Sequence, residues 1–125
     1  MNKLALSTIA LVMTTAAGIA DPAPVMTVST GIGDVLAGDN GMTLYTFKKD
    51  EKGMSNCYDK CAVNWPPLMA TPESNAHDPW SIVTRDDGSH QWAFKGKPLY
   101  RWIKDQKPGD RTGDGFKDVW HLARP

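Results

Sequence analysis

Few residues in this chain could do chemistry, and they fall into four groups. The densest is Asp110-x-Thr112-x-Asp114-Gly115-x-x-Asp118. It follows the opening positions of a calcium loop, oxygen ligands broken by a Gly turn. Its twelfth position is His121, where a bidentate Glu belongs, and Arg111 and Lys117 bring two cations into the loop. With the ligand set incomplete, a Gly-rich turn is the stronger expectation. Asp110, Asp114, Asp118 and His121 stay as weak calcium candidates, and no metal is expected.

A second group is His77, His90 and His121 with Met26, Met42, Met54 and Met69. Such side chains can hold copper or the axial positions of a haem. No two of them stand at a ligand spacing, and loose His and Met residues usually fill surface or core. No cofactor is therefore expected. The third group is Cys57 and Cys61. In an exported chain the default is a disulfide; a metal or redox pair is the rival. Three residues separate them where the thioredoxin pattern has two. No His follows Cys61, so the haem-attachment pattern fails as well.

The fourth group is a motif that occurs twice: Tyr45-x-Phe47-x-x-Asp50 and Tyr100-x-Trp102-x-x-Asp105. Two aromatics on one strand face beside a carboxylate suit a sugar ring or a cation. The alternative is structural: the aromatics fill the core, and the Asp ends the strand by accepting loop N–H groups. Recurrence at the same strand position favours the structural role. No nucleophile elbow, metalloprotease helix or phosphate-binding Gly loop is written anywhere. An enzyme is not expected.

The motif belongs to a longer repeat. At an offset of 55 residues, Gly41, Leu44, Tyr45, Lys49 and Asp50 meet Gly96, Leu99, Tyr100, Lys104 and Asp105. Val28 falls on Val83, Gly33 on Gly88, and Trp65 on Trp120. The alignment reads as gapless, a two-fold internal repeat. Each copy is predicted to be a three-strand meander: 25–29, 34–38 and 42–47, then 81–85, 90–94 and 99–103. Asn40-Gly41 and Lys95-Gly96 are read as two-residue hairpin turns. They pair Ala37 with Leu44 and Trp92 with Leu99. Tyr45 and Phe47 then share one face, with Leu44 on the other. The cysteine loop is predicted to form a helical turn, stopped by Pro66-Pro67. Residues 69–78 read as a linker, and 119–122 as a last strand. The fold class is mainly β: two pseudo-symmetric antiparallel meanders, packed as a sandwich or barrel, with one short disulfide-bearing helical turn.

The start of the chain reads as a signal peptide over residues 1–20: Lys3, an apolar run from Leu4 to Ala17, then Gly18-Ile19-Ala20. No Cys lies there to carry a lipid anchor. The rest, residues 21–125, is expected to be one domain of two repeats, about 25–76 and 80–125. It should be soluble after cleavage, periplasmic or secreted. The whole chain carries 14 basic and 14 acidic residues. No basic cluster is visible along the sequence, which argues against nucleic acid as a partner.

On these residues the chain resembles the bacterial secreted-repeat family, predicted lipoproteins marked by the Tyr-x-(Phe/Trp/Tyr)-x-x-Asp motif. Further marks are the Cys57…Cys61 pair leading into Trp65-Pro66-Pro67, the Gln91-Trp92-Ala93 stretch, Gly96-Lys97-Pro98-Leu99-Tyr100, and the closing Trp120-His121-Leu122-Ala123-Arg124-Pro125. The resemblance runs from about residue 28 to the C-terminus. Many members have a lipobox cysteine, and this chain has none. The family has no established activity, so the resemblance implies fold and location but no reaction. The expected function is a non-catalytic periplasmic binding or interaction module, its partner an unknown protein or small ligand. The alternative is a redox or metal accessory protein handling copper or haem.

Overall fold

A computed structural model describes residues 23–125. The expected signal peptide lies outside the described residues. The β-branched run Val25–Thr30 forms β1, which pairs in antiparallel register with β2, Gly33–Gly38. The chain returns through Thr43, bridged to Ala37, into β3, Tyr45–Phe47. A short helix α1, Lys60–Asn64, follows, then a two-residue strand β4, Met69–Ala70. The second copy comprises β5, Trp80–Thr84, β6, His90–Phe94, and β7, Lys97–Pro98. After a 3-10 turn at Phe116–Asp118 comes β8, Trp120–Leu122. The fold is mainly antiparallel β in two repeats, with one short α-helix and a disulfide between Cys57 and Cys61.

The two hairpin turns differ, which corrects the gapless alignment. At Lys95-Gly96 both residues have positive φ, 52° and 82°, as a two-residue type I′ turn requires. Phe94 pairs with Lys97 and Ala93 with Pro98, so Trp92 meets Leu99. At Asn40-Gly41 the loop has three residues. Gly38 N–H donates to Met42 O, Gly41 N–H donates to Gly38 O, and Gly41 alone is left-handed, at φ 84°. This is a type I turn closed by a left-handed Gly, stabilised by Asn40 Oδ1 accepting from Met42 N–H. Leu44 therefore bonds Leu36, and Ala37 meets Thr43, one residue from the expected register. The compensating change is in the preceding turn. Thr30 pairs with Gly33 across two residues, whereas Arg85 bonds Ser89 across three. The copies stay 55 apart except through β2 and β6, where Leu36 corresponds to Trp92 and Gly33 to Ser89.

The repeats join by exchanging tails. β3 pairs with β8 of the other copy: Tyr45 with Leu122, Thr46 with His121, Phe47 with Trp120. The mirror event joins Tyr100 to Pro67, while Arg101 and Ile103 donate to Pro66 O and Asn64 O. The expected strand 99–103 is thus a set of single bridges. Pro66 and Pro67 have no N–H to return, so no continuous ladder forms. Each tail enters through a ring of three backbone bonds. Leu44 donates to Leu36, Leu36 to Ala123 and Ala123 to Leu44, at 3.0, 2.8 and 2.9 Å. Leu99, Trp92 and Leu68 form the same ring, at 3.0, 2.9 and 2.9 Å. Residues expected in the linker become β4 because this tail carries on along β6, pairing Met69 with Gln91.

Where the copies cross, Tyr45 and Tyr100 exchange both backbone bonds, at 2.8 and 3.0 Å. The pseudo-two-fold axis passes between them. Alternation sends successive residues to opposite faces, and both faces are buried. Leu36, Leu44, Leu99, Trp92 and Ala123 pack with Trp80 on one face. Val35, Tyr45, Tyr100, Leu122 and three tryptophans pack on the other. There Phe47, Trp120, Trp65 and Trp102 stack in sequence, centroids 4.3, 3.9 and 4.0 Å apart. The axis runs through the middle of this stack. Tyr45 stands edge-on to Trp65, as Tyr100 does to Trp120.

Gly113 closes over the stack, and a Cβ there would stand 2.6 Å from Trp65 Cη2 and 3.0 Å from Trp102 Cδ1. Indole rings held on both sides cannot retreat. Gly113→Ala is expected to destabilise by about 1–3 kcal/mol, the usual penalty for overpacking. At Gly31 nothing lies within 4 Å of the added carbon. Gly31→Ala should be neutral, or stabilising by about 0.4–1 kcal/mol through the unfolded chain. Urea melts of the two variants check both expectations.

Candidate functional site

The repeated motif is a latch across the pseudo-two-fold axis. Tyr45 O–H donates to Asp105 Oδ2 at 2.6 Å, and Tyr100 O–H donates to Asp50 Oδ2 at 2.7 Å. Each Tyr takes the carboxylate of the other copy. The remaining carboxylate oxygens hold the loops. Asp50 Oδ1 accepts from Asn56 N–H at 2.7 Å. Asp105 Oδ1 accepts from Thr112 N–H at 3.0 Å and Thr112 Oγ1 at 2.6 Å. Tyr45 and Tyr100 are fully buried, and Phe47 and Trp102 belong to the aromatic stack. Burial pushes both phenols well above their usual range, and the facing carboxylates push the same way. Both tyrosines therefore stay neutral donors.

Around Tyr100 lies a polar network that sequence reasoning missed. Arg85 is only 5% exposed. Its Nη1 donates to Gln91 Oε1 at 2.7 Å and Ser55 Oγ at 3.0 Å, and its Nη2 donates to Cys57 O at 2.6 Å. Tyr58 stacks on the guanidinium at 4.4 Å. Ser55 Oγ in turn lies 2.6 Å from Tyr100 Oη. The network ties the disulfide loop to the second meander. Around Tyr45 the equivalent contact is a longer one, a bond from Gly113 N–H to the phenol oxygen at 3.2 Å.

The other sequence candidates are scattered. Asp110 accepts from the Gln106 and Lys107 N–H groups, which hold its carboxyl below the usual range, and pairs with Lys107 at 3.4 Å. Asp114 accepts from Leu122 N–H at 3.2 Å. Asp118 and His121 are exposed. Among the described residues, no three His, Cys, Asp or Glu side chains converge as metal ligands. His77 is exposed and His90 half-buried, while Met26, Met54 and Met69 lie in solvent and Met42 is half-buried.

The fold does assemble one feature invisible along the chain. A groove of about 670 Å³ runs beside the β3–β8 pair. Lys48, Lys52, Lys95, Lys97 and Arg124 line it, with Thr46 and His121 between them and two carboxylates, Asp50 and Glu51. Two turns from different copies bring the lysines together. Gly53 N–H donates to Gly96 O at 2.8 Å, and Lys52 lies across Gly96, where a Cβ would stand 2.7 Å from Lys52 Cγ. None of the five cations has a carboxylate within salt-bridge distance among the described residues. A second groove, lined by Lys52, Gly53, Asp78, Pro79, Ser81, Lys95 and Gly96, lies on the far side of the same turn.

The surface related to this groove by the pseudo-two-fold axis lacks most of this charge. The positions of Lys48, Lys95, Lys97 and Arg124 are held by Ile103, Asn40, Met42 and Met69. Lys107, matching Lys52, is paired to Asp110. One cation, Arg101, stands there where the groove has Thr46. Laying one copy over the other could have exposed this difference in the sequence.

The latch predicts how its carboxylates respond to mutation and pH. Asp50→Ala and Asp105→Ala should each lose about 1–3 kcal/mol, because buried donors are orphaned. The Asn variants should lose less, since an acceptor oxygen remains. Burial is the chief cause that raises the Asp50 carboxyl above its ordinary value of 3.8, outweighing the bonds from Asn56 and Tyr100. The folded state then holds the proton more tightly than the unfolded chain. This contribution is present at low pH and fades as pH rises from 3.8 through the raised folded value. Parent stability relative to Asp50→Asn should fall across that window; chemical melts at several pH values read the difference.

The comparisons agree with the repeat. The profile of a family described as a secreted repeat of unknown function matches twice, over residues 26–69 and 81–124. No curated protein and no solved structure matches the chain. Two matches covering most of the chain, in the two copies the fold defines, place this protein in the family of secreted repeats of unknown function.

Proposed function

We propose that this secreted repeat is a non-catalytic binding module whose site is the cationic groove beside β3 and β8, and that its partner is anionic. One observation carries this reading. Five cations line one groove with no carboxylate in salt-bridge distance among the described residues, while the surface related to it by the pseudo-two-fold axis carries far fewer cations. What both copies share, the latch and the aromatic stack, is needed for the fold. What stands on only one side of the pseudo-two-fold axis is free to serve a partner. Crowded like charges also cost stability, a cost with no structural return inside the chain.

An export signal, a disulfide and the family's secreted character support a place outside the cytoplasm, with the periplasm the compartment we favour. No helix among the described residues is long and apolar enough to cross a membrane. The alternative of a copper or haem accessory has no observation in its favour.

The reading makes a paired prediction. Lys95→Gln with Lys97→Gln should raise the melting temperature at low salt and weaken binding of a polyanion. Added salt should shrink both effects, since exposed charges are screened over about 10 Å at 0.1 M. The control is Arg101→Gln with Lys104→Gln, which removes the same charge from outside the groove. Thermal melts and calorimetric titration with a mixed panel of polyanions read both effects. Equal loss of binding in the control pair would mean that net charge, not the groove, is responsible.

A further inference from the structure

Resting on the groove as the binding site, we infer that its ligand is a linear chain of phosphoryl groups that passes over the Lys95-Gly96 turn. The type of cation is the first reason. Bidentate grip of carboxylates and phosphates alike is the work of the planar fork of Arg, whereas Lys binds phosphate as a point charge. The one Arg here has its Nη1 engaged by Ile32 O at 3.0 Å and Asp34 O at 3.3 Å. Four lysines remain, compact charges with three donors each. They suit a tetrahedral oxyanion that offers acceptors in several directions.

The neutral groups between them fit the same chemistry. Thr46 and His121 are cross-strand partners on the face that turns away from the aromatic core. Their side chains reach the groove between the lysines. A hydroxyl and an imidazole can each donate to a phosphoryl oxygen.

Extent is the second reason. Lys52, Lys95 and Gly96 line both this groove and its neighbour, so the two adjoin at the hairpin tip. Each holds about 670–680 Å³, more than one phosphate fills. Five cations face two carboxylates, and Asp50 turns both oxygens inward to Asn56 and Tyr100. A single phosphate would leave most of that charge unmet. A chain with repeated phosphates would meet it along the groove.

A bilayer surface fits less well. The lysines are exposed, Pro98 and Leu122 are buried, and Phe47 is half-buried in the aromatic stack, so the apolar side chains of this groove are less exposed than its charges. An acidic polypeptide offers planar carboxylates, with acceptors in fewer directions than a tetrahedral phosphoryl group, and the poly-glutamate arm of the test decides between the two.

The test titrates the full secreted chain with four probes at one ionic strength. They are a linear inorganic polyphosphate, orthophosphate alone, poly-glutamate of matched charge, and vesicles of anionic phospholipid against neutral phospholipid. Polyphosphate should bind at least about tenfold more tightly than poly-glutamate, with an affinity that falls steeply as salt rises. Orthophosphate should bind weakly. Lys95→Gln with Lys97→Gln should remove most of the polyphosphate affinity, and Arg101→Gln with Lys104→Gln should leave it in place. Equal binding of poly-glutamate, or a preference for vesicles, overturns the phosphoryl chain and leaves the anionic groove standing. No binding by any of the four overturns both. Folding of each variant is checked by its melting curve, so a lost affinity is not confused with a lost fold.

Discussion

The fold depends on the crossing of two tyrosines. Tyr45 and Tyr100 exchange backbone bonds at the pseudo-two-fold axis, then each sends its phenol into the other copy. A buried hydroxyl without a partner costs more than the net gain of one hydrogen bond. Each Tyr must therefore find an acceptor, and the acceptor it finds belongs to the other repeat. Neither repeat can satisfy its own tyrosine. A short meander alone is also too small to stay folded. The exchange of tails follows the same logic. Each tail pairs with the tyrosine-bearing segment of the opposite copy, which brings Trp65 and Trp120 face to face at 3.9 Å.

Symmetry separates what the fold requires from what it permits. Tyr45 and Tyr100, Asp50 and Asp105, Trp65 and Trp120 recur because the axis maps each onto its mate. Departures from symmetry are of two kinds. One is internal: Arg85, Gln91 and Ser55 surround Tyr100, whereas Tyr45 meets only a backbone N–H and its carboxylate. The positions matching Arg85 and Gln91 are Thr30 and Val35, which cannot carry that network. The other departure is external, the lysine groove. Its four lysines make no salt bridge among the described residues, and their mutual repulsion works against the fold.

Much of this was legible in the sequence, and the misses have physical causes. Face assignment followed from alternation, so Tyr45 and Leu44 were placed on opposite faces correctly. The Lys95-Gly96 turn was read correctly because its two residues accept positive φ. Asn40-Gly41 looked like the same turn, but Asp39 joined the loop and left only Gly41 left-handed. A gapless alignment hid this, since the shift is undone one turn earlier. The tail exchange was not legible. Nothing local in Trp65-Pro66-Pro67 says which copy it pairs with, and the prolines weaken the strand signal. The groove was missed for a related reason. Lys48 and Lys52 lie far in sequence from Lys95 and Lys97, and only the bond from Gly53 to Gly96 brings them together.

Asp50 belongs to both departures, and its orientation decides how they coexist. It borders the groove, where a free carboxylate would cancel one lysine and repel an anion. Instead one oxygen accepts from Tyr100 and the other from Asn56 N–H. Its charge is directed into the core, toward the side where Arg85 is buried. Arg85 needs such a counter-charge nearby, because an isolated buried guanidinium is costly to hold. The same carboxylate thus eases the burial of a cation beneath it and leaves the groove above it positive. In the other copy Asp105 also faces inward, yet among the described residues no buried cation lies behind it, and Ile103, Asn40, Met42 and Met69 stand where the groove has cations. The latch is common to both copies, and only around Asp50 has it been combined with a surface suited to a partner.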